Sequence, residues 1–259
     1  MRNFRWWSAF SSWPTVWAWV LGVPLLCQPA RAVVNSEVTR LIFNAGENSV
    51  SLALSNSEQQ PTLVQVWADE GDPRVAPDQV KTPVVVIPPV FKMQPGELRS
   101  VKLLLTQRAG LASDRETLYW LNIFQIPPMT SADQQRLHKV VLPLRIRMKL
   151  FIRPDGVAPP AEKDGEKLRF TFMAAGQQLL IDNPTPWFLT LSRVQCGAYH
   201  AAGLMVAPKS RLPVDLQGAG GDCRVVNYEL INDSGNGWSY DGRPVSQSLA
   251  KNPRRPPVR

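Results

Sequence analysis

Side chains suited to acid–base and metal chemistry are scarce in this sequence. Histidine occurs only twice in 259 residues, as His138 and His200, and two isolated histidines offer no metal-ligand spacing. The nucleophile motif GxSxG, the zinc motif HExxH and a glycine-rich phosphate-binding loop are all missing. The sequence therefore predicts a protein that is not an enzyme and that needs neither a metal nor a cofactor.

Repeats, low-complexity blocks and strong helical periodicity are missing as well, which argues against repeat and helical architectures. What is present is a series of short alternating apolar stretches bounded by turn residues. From residue 38 onward, about seven predicted strands fall within about 115 residues, as in one immunoglobulin-like sandwich. The predicted strands are residues 38–43, 50–54, 62–68, 84–93 with a break at the two prolines, 98–106, 116–126 and 137–154.

The chain then enters a proline-rich segment, residues 154–160, which predicts a short stiff linker. The alternating pattern resumes after it on a smaller scale. We therefore expect an N-terminal immunoglobulin-like domain at 33–153, a C-terminal one at 161–250, and a disordered basic tail at 251–259.

The N-terminus has the features of an export signal. Arg2 and Arg5 precede an apolar, tryptophan-rich run, and the sequence Ala-Arg-Ala at 30–32 fits a cleavage site before Val33. We expect residues 1–32 to be a signal peptide that is removed on export. An uncleaved membrane anchor is the alternative.

Removal of that segment would leave two cysteines and a small basic excess. The net charge falls from +8 to +5, because residues 1–32 contain three arginines and no acid. In an exported protein Cys196 and Cys223 predict a disulfide worth about 3 kcal/mol, with a free buried pair as the alternative. The basic excess suits an acidic or carboxylate-bearing partner and is too dispersed to predict nucleic-acid binding.

The longest alternating stretch is LHKVVLPLRIRMKLFIRP, residues 137–154. Its even positions from Val140 to Ile152 are apolar and most odd positions are basic, which predicts a strand of about fourteen residues with an apolar and a cationic face. Pro143 cannot donate to a ladder, which favours a sheet edge. Soluble proteins normally suppress such edges, so we expect this one to pair with another chain. An internal strand with Pro143 at a bulge is the alternative.

Segments spread along the chain resemble the periplasmic pilus-assembly chaperones of the chaperone-usher pathway. They are VTRLIF at 38–43, PG at 95–96, DRETLYWLNIFQIPP at 114–128, RIRMKLFIRP at 145–154, NPTPWFLTL at 183–191 and IND at 231–233. The resemblance implies an all-β fold of two immunoglobulin-like β-sandwich domains set at an angle, L- or boomerang-shaped, with a cleft between them. It implies a periplasmic location, pilus (pilin) subunits and an outer-membrane usher as partners, and no membrane insertion of the mature chain. The loop at 129–139 lacks the cysteine pair and the length of the long-loop subfamily, so the short-loop type fits better.

The resemblance further implies that the long strand is lent to a pilus subunit that lacks its own final strand. The chaperone's alternate apolar side chains then fill the subunit's open groove. By position, these donor side chains are Val140, Leu142, Leu144 and Ile146. The same edge would also allow the free protein to associate with itself.

Arg40 and Lys149 match the residues with which the family anchors the subunit's C-terminal carboxylate. A carboxylate taken partly out of water needs charge-assisted hydrogen bonds, which an arginine fork and a lysine supply. Without the resemblance, each would be interpreted as a solvated surface cation. Glu116, Arg153 and Asp233 match a buried interdomain ion network whose role in the family is structural.

A secreted β-sandwich adhesin or carbohydrate-binding module is the alternative function. Such a module needs an aromatic platform on exposed loops. We expect Trp67, Trp120 and Trp187 to be core residues, because they lie inside strand patterns. Trp238, in a glycine-rich turn, is then the one exposed candidate.

Overall fold

The computed structural model describes residues 34–126, 142–173, 177–218, 220 and 222–246. These residues are mostly β-strand and turn, with a 3-10 helix at Glu162–Lys167. The described part of the chain has no helix that is both long and apolar enough to cross a membrane. The predicted signal peptide, the basic tail and Val140 lie outside the described residues.

The first domain is a sandwich of two sheets over one apolar core. Its strands are β1 (Val34–Ser36), β2 (Arg40–Phe43), β3 (Ser49–Asn56), β4 (Thr62–Asp69), β5 (Val84–Ile87), β6 (Val90–Met93), β7 (Leu98–Leu105), β8 (Thr117–Ile126) and β9 (Leu144–Ile152). One sheet has the order β1-β3-β7-β5 and the other the order β2-β9-β8-β4-β6.

Alternation along the strands places every second side chain in this core, as the period of two predicts. Strand β3 buries Leu52 and Leu54, and β8 buries Leu121 and Ile123. Each such side chain contributes about 1.5–3 kcal/mol by leaving water. Strands β5 and β6 belong to different sheets, so the predicted break at the two intervening prolines is confirmed.

Strand β9 differs from the predicted long strand in where it begins. It starts at Leu144, directly after Pro143, and residues 137–141 lie outside the described part of the chain. Pro143 therefore precedes the described ladder and removes no hydrogen bond from it. Strand β9, with nine residues, is still longer than an ordinary strand of about five or six.

The second domain has its own core, which shares no buried residue with the first. Its strands are β10 (Arg169–Met173), β11 (Gln178–Asn183), β12 (Leu189–Cys196), β13 (Tyr199–Val206), β14 (Ser210–Asp215), β15 (Val226–Ile231), β16 (Gly237–Gly242) and β17 (Val245–Ser246). They form two sheets with the orders β14-β11-β10-β17 and β13-β12-β15-β16. The prediction of an all-β chain with two sandwich domains is confirmed.

Cys196, at the end of β12, and Cys223 are buried in the second core and joined by a disulfide, with Cα atoms 5.0 Å apart. The predicted disulfide is confirmed.

The prediction that Trp238 lies in an exposed turn is wrong, because this residue lies on β16, opposite Leu230 of β15. Glycines around it suggested a turn, but pairing with β15 supplies the ladder that local propensity does not.

Candidate binding site at the free edge of strand β9

Strand β9 changes from an internal strand to an edge strand along its length. It pairs antiparallel with β8 throughout, whereas β2 pairs with it in parallel only at residues 149–152. Residues 144–148 therefore have a neighbouring strand on one side only, within the described part of the chain. The expectation of an edge strand holds for this half of β9, and the internal alternative describes the other half.

The solvent exposure of the apolar side chains of β9 increases toward its unpaired half. Met148 is 4% exposed, Ile146 is half-buried, and Leu144 is 40% exposed. Leu142, just before the strand, is 76% exposed. Three of the four predicted donor residues, Leu142, Leu144 and Ile146, thus lie along the unpaired half of β9 or just before it.

Arg40 and Lys149 lie opposite each other where β2 begins to pair with β9. Residues of the second domain hold both side chains. Lys149 Nζ donates to Thr190 Oγ1 at 2.9 Å, and Arg40 Nη1 donates to the Ile231 carbonyl at 3.0 Å. The structure therefore brings the two predicted anchor residues together at the boundary between the domains, at the end of the free edge.

Both cations lack a carboxylate partner in the described part of the chain. Among the described residues, neither side chain forms an ion pair, and the buried Arg40 Nε has no hydrogen-bond partner there. Burial lowers the pKa of Arg40, although the charges of Asp233 and Glu116 oppose this. Burial, with Arg40 nearby, lowers the pKa of Lys149 to about 8. Two partly desolvated cations side by side favour binding of an anion, and a carboxylate matches the arginine fork.

Glu116, Arg153 and Asp233 form a connected set of ion pairs. Arg153 donates to Glu116 Oε1 through Nε at 3.0 Å and Nη2 at 2.8 Å, and Nη2 also reaches Asp233 Oδ2 at 3.1 Å. Glu116 Oε2 accepts from the backbone N–H of Phe188 in the second domain at 2.9 Å. Burial raises the pKa of Glu116, and the charge of Arg153 opposes this rise. The set joins the two domains beside Arg40.

The outward face of β9 carries a second polar group of residues, Asp69, Asn122, Arg145 and Arg147, here called the Asp69 cluster. The Asp69 side chain is 1% exposed, and it accepts from Arg147 Nη2 at 2.6 Å and from Arg145 Nη2 at 3.2 Å. The Nε atoms of both arginines donate to Asn122 Oδ1, at 2.8 and 3.1 Å. Asn122 Nδ2 in turn donates to Asp69 Oδ2 at 2.7 Å. The cluster thereby ties β9 to β8 and β4.

Two tryptophans stack on these arginines. The guanidinium carbon of Arg145 lies 4.8 Å from the ring centroid of Trp67, and that of Arg147 lies 5.0 Å from Trp120. The prediction that these tryptophans belong to the core is wrong, because both occupy outward strand positions and are half-buried. Trp187 does lie in the second core, as predicted.

Thr190 and the Asp69 cluster were not predicted from the sequence. Thr190 lies in the other domain, 41 positions from Lys149, and no local pattern connects them. The cluster did leave a usable signal, because Asp69 ends a strand in a sheet that also contains two alternating arginines. Opposite charges on one sheet face tend to pair.

Comparison with known proteins gives matches over both domains. The model of the pili and flagellar-assembly chaperone PapD N-terminal domain matches residues 33–158. The model of the pili assembly chaperone PapD C-terminal domain matches residues 164–241. The Bordetella pertussis chaperone protein FimB/FhaD is 33% identical over 223 residues, 83% of this chain and 89% of that protein. The Klebsiella pneumoniae chaperone protein MrkB is 31% identical over 201 residues, 76% of this chain and 85% of that protein.

Solved structures give the same result. The Pseudomonas aeruginosa CupB2 chaperone is 30% identical with a TM-score of 0.68, covering 82% of this chain and all of that chain. The complex of Salmonella enterica SafA pilin with the SafB chaperone matches with 28% identity and a TM-score of 0.69, covering 82% of this chain and 95% of that chain. The two family models together span most of the chain, as does each of these relatives. The protein therefore belongs to the PapD family of pilus-assembly chaperones.

Proposed function

We propose that this protein binds pilus subunits in the periplasm, completes their fold with the free edge of β9, and delivers them to an outer-membrane usher. One observation carries the proposal. Strand β2 pairs with β9 only from Lys149 onward, so the free edge ends at Arg40 and Lys149. A subunit anchored there by its C-terminal carboxylate can place its preceding residues along positions 144–148.

The position of the anchor fixes the direction of the bound strand. The C-terminus of the subunit lies at Lys149, and its preceding residues lie beside progressively earlier residues of β9. The subunit strand then runs parallel to β9, in line with β2, which is also parallel. Main-chain hydrogen bonds along this edge supply affinity, and the alternate side chains supply specificity.

Donor side chains supply the apolar part of the interaction. Leu142 and Leu144 are exposed in the free protein and Ile146 is half-buried, so a subunit groove can remove apolar surface from water on binding. The subunit thereby gains folding free energy that its own chain lacks, and its aggregation-prone groove is covered. No nucleotide is needed for such a step.

The second domain positions the anchor. Thr190 and the Ile231 carbonyl hold Lys149 and Arg40, and the Glu116–Arg153–Asp233 set holds the second domain against the first. This set has a structural role in the proposal and makes no contact with the subunit. Residues 1–32 act as the export signal and are removed.

Co-expression of the full chain, which carries its own export signal, with the pilin subunit encoded beside it tests the proposal. The measurement is the amount of periplasmic pilin recovered in a soluble complex, for wild type, Lys149→Ala and Lys102→Ala. Lys102 is an exposed lysine on β7, in the other sheet, and serves as the matched control. We expect a one-to-one complex with wild type and with the control, and loss of most of it with Lys149→Ala. Equal recovery from all three variants contradicts the anchor, and no recovery from any of them contradicts the proposed function.

The adhesin or carbohydrate-binding alternative is not favoured. In the described part of the chain, arginines cover Trp67 and Trp120, Trp187 is buried, and Trp238 is half-buried in the wall of the pocket that contains Arg40. None of these rings forms an exposed platform. The family is a family of chaperones without a known catalytic role, in agreement with the prediction that the protein is not an enzyme.

A further inference from the structure

The Asp69 cluster contains neither an anchor residue nor a donor side chain, yet two of its members, Arg145 and Arg147, lie in the unpaired half of β9. Arg145 and Arg147 point to the outward face of the sheet, between Leu144 and Met148. Their described hydrogen-bond partners lie on β8, on β4 or in the loop that follows β4. Besides Asp69 and Asn122, these are the carbonyls of Pro73, at 2.5 Å from Arg145 Nη1, and Gly71, at 3.1 Å from Arg147 Nη2.

The direction of the Arg145 and Arg147 side chains is important because long cationic side chains commonly protect sheet edges from pairing. An arginine on an edge strand can extend over the unpaired N–H and C=O groups and hinder the approach of another strand. Here both guanidinium groups are drawn away from the free edge, toward the interior of the sheet. A buried carboxylate shared by two arginines, with stacking on Trp67 and Trp120, fixes them there.

The same contacts also affect how readily residues 144–148 of β9 open locally. Residues 149–152 of β9 lie between two strands, whereas in the described part of the chain residues 144–148 have β8 alone beside them. An edge held by one ladder opens locally at a lower free energy than an internal strand. Arg145 and Arg147 connect this half of β9 to β4, two strands away, through Asp69.

We infer that Asp69 is a positioning residue for subunit capture, because it withdraws Arg145 and Arg147 from the free edge and keeps residues 144–148 extended for pairing. This inference rests on the proposed function and deepens it. Asp69 does not contact the subunit. It acts through the two arginines, so that the edge is open and ordered before the subunit arrives.

The test compares Asp69→Asn with Val66→Ala in the mature chain. Val66 lies on the same strand, faces the core, and is buried, so its truncation destabilises the domain without touching the arginines. Two quantities are measured beside the melting temperature. The first is hydrogen exchange of the amides of residues 144–148 and 149–152 in the free protein. The second is the rate at which each variant captures the pilin of the co-expression experiment when that pilin is diluted from denaturant.

For Asp69→Asn we expect exchange to rise at 144–148 and not at 149–152, and the capture rate to fall by about tenfold, within the range of coupling between contacting residues. Val66→Ala should leave capture unchanged. A third variant, Asp69→Asn with Arg145→Gln and Arg147→Gln, removes the side chains that would cover the edge. It should capture faster than Asp69→Asn alone, and this comparison remains decisive if the single variant folds poorly.

Three outcomes overturn the inference. One is unchanged exchange at 144–148 in Asp69→Asn. Another is a capture rate that follows the melting temperature across all variants, as a purely structural role would require. The third is a triple variant no faster than Asp69→Asn. If wild type captures no pilin, the proposed function fails and the inference falls with it; if wild type captures and only the differences between variants are missing, the inference alone fails.

Discussion

Arg40 and Lys149 face each other across the first pair of residues that joins β2 to β9, with no carboxylate paired to either in the described part of the chain. The two positive charges repel each other, and each side chain donates to a neutral oxygen of the second domain. The pair therefore favours an incoming carboxylate.

The pH dependence of pilin binding should report Lys149. Its pKa in the free protein is lowered to about 8, because burial and Arg40 disfavour the charged form. A bound carboxylate favours the charged form and raises that pKa, so binding takes up a proton above pH 8. We expect affinity to fall by up to about tenfold per pH unit above that value. Titration calorimetry from pH 7 to 9.5 measures it, and Lys149→Arg, which stays charged, should remove the dependence. A flat profile for wild type would contradict the assignment.

Leu144 and Met148 should respond differently to the same substitution. Leu144 is 40% exposed on the free edge, whereas Met148 is buried in the core. We expect Leu144→Asp to lose most pilin binding, because a carboxylate would enter the subunit's apolar groove, while the melting temperature changes little. Met148→Asp should lower the melting temperature strongly. Thermal unfolding and recovery of the complex separate the two effects, and normal binding by Leu144→Asp would exclude this residue as a donor.

Removal of the buried acid from the Glu116–Arg153–Asp233 set should destabilise the protein more than removal of the half-exposed one. Glu116→Gln removes the buried counter-charge of Arg153 and leaves this arginine with the half-exposed Asp233 carboxylate, at a cost of about 3 kcal/mol or more in free energy of unfolding. Asp233 is 38% exposed at its side chain, so Asp233→Asn should cost under about 1 kcal/mol. Urea unfolding at pH 7 measures both. Similar small effects would show that the set does not hold the domains together.

The disulfide between Cys196 and Cys223 should stabilise the second domain by about 3 kcal/mol, from its restriction of the unfolded chain. Reductant should therefore lower the urea midpoint of the wild-type protein. The double variant Cys196→Ala, Cys223→Ala should have a midpoint close to that of the reduced wild type, with or without reductant. A wild-type midpoint that is unaffected by complete reduction is the contrary result.

Local sequence patterns were sufficient for the fold class and for most strands of the first domain, whereas β16 was missed. Alternation of apolar residues in β3, β8 and β9 reflects a period that the backbone imposes on any half-buried strand, so it can be detected without a structure. Prolines and glycines at 88–89 and 154–160 interrupt regular structure for equally local reasons. Patterns failed where a residue's environment depends on a distant partner, as for Trp67 and Trp120, whose outward faces are covered by Arg145 and Arg147.

The sequence by itself determined that the chain is two all-β sandwiches, that it carries an apolar and cationic strand near residues 140–152, and, by resemblance, which family it belongs to. Only the tertiary structure decided that β9 is an edge for half its length, because strand order and the short reach of β2 are not encoded in any one segment. It also decided that Arg40, Lys149, Thr190 and Ile231 meet at one point, and that Asp69 neutralises part of the cationic face. Ion pairs and strand pairing depend on distances between residues far apart in the chain, and those distances exist only once both domains have folded.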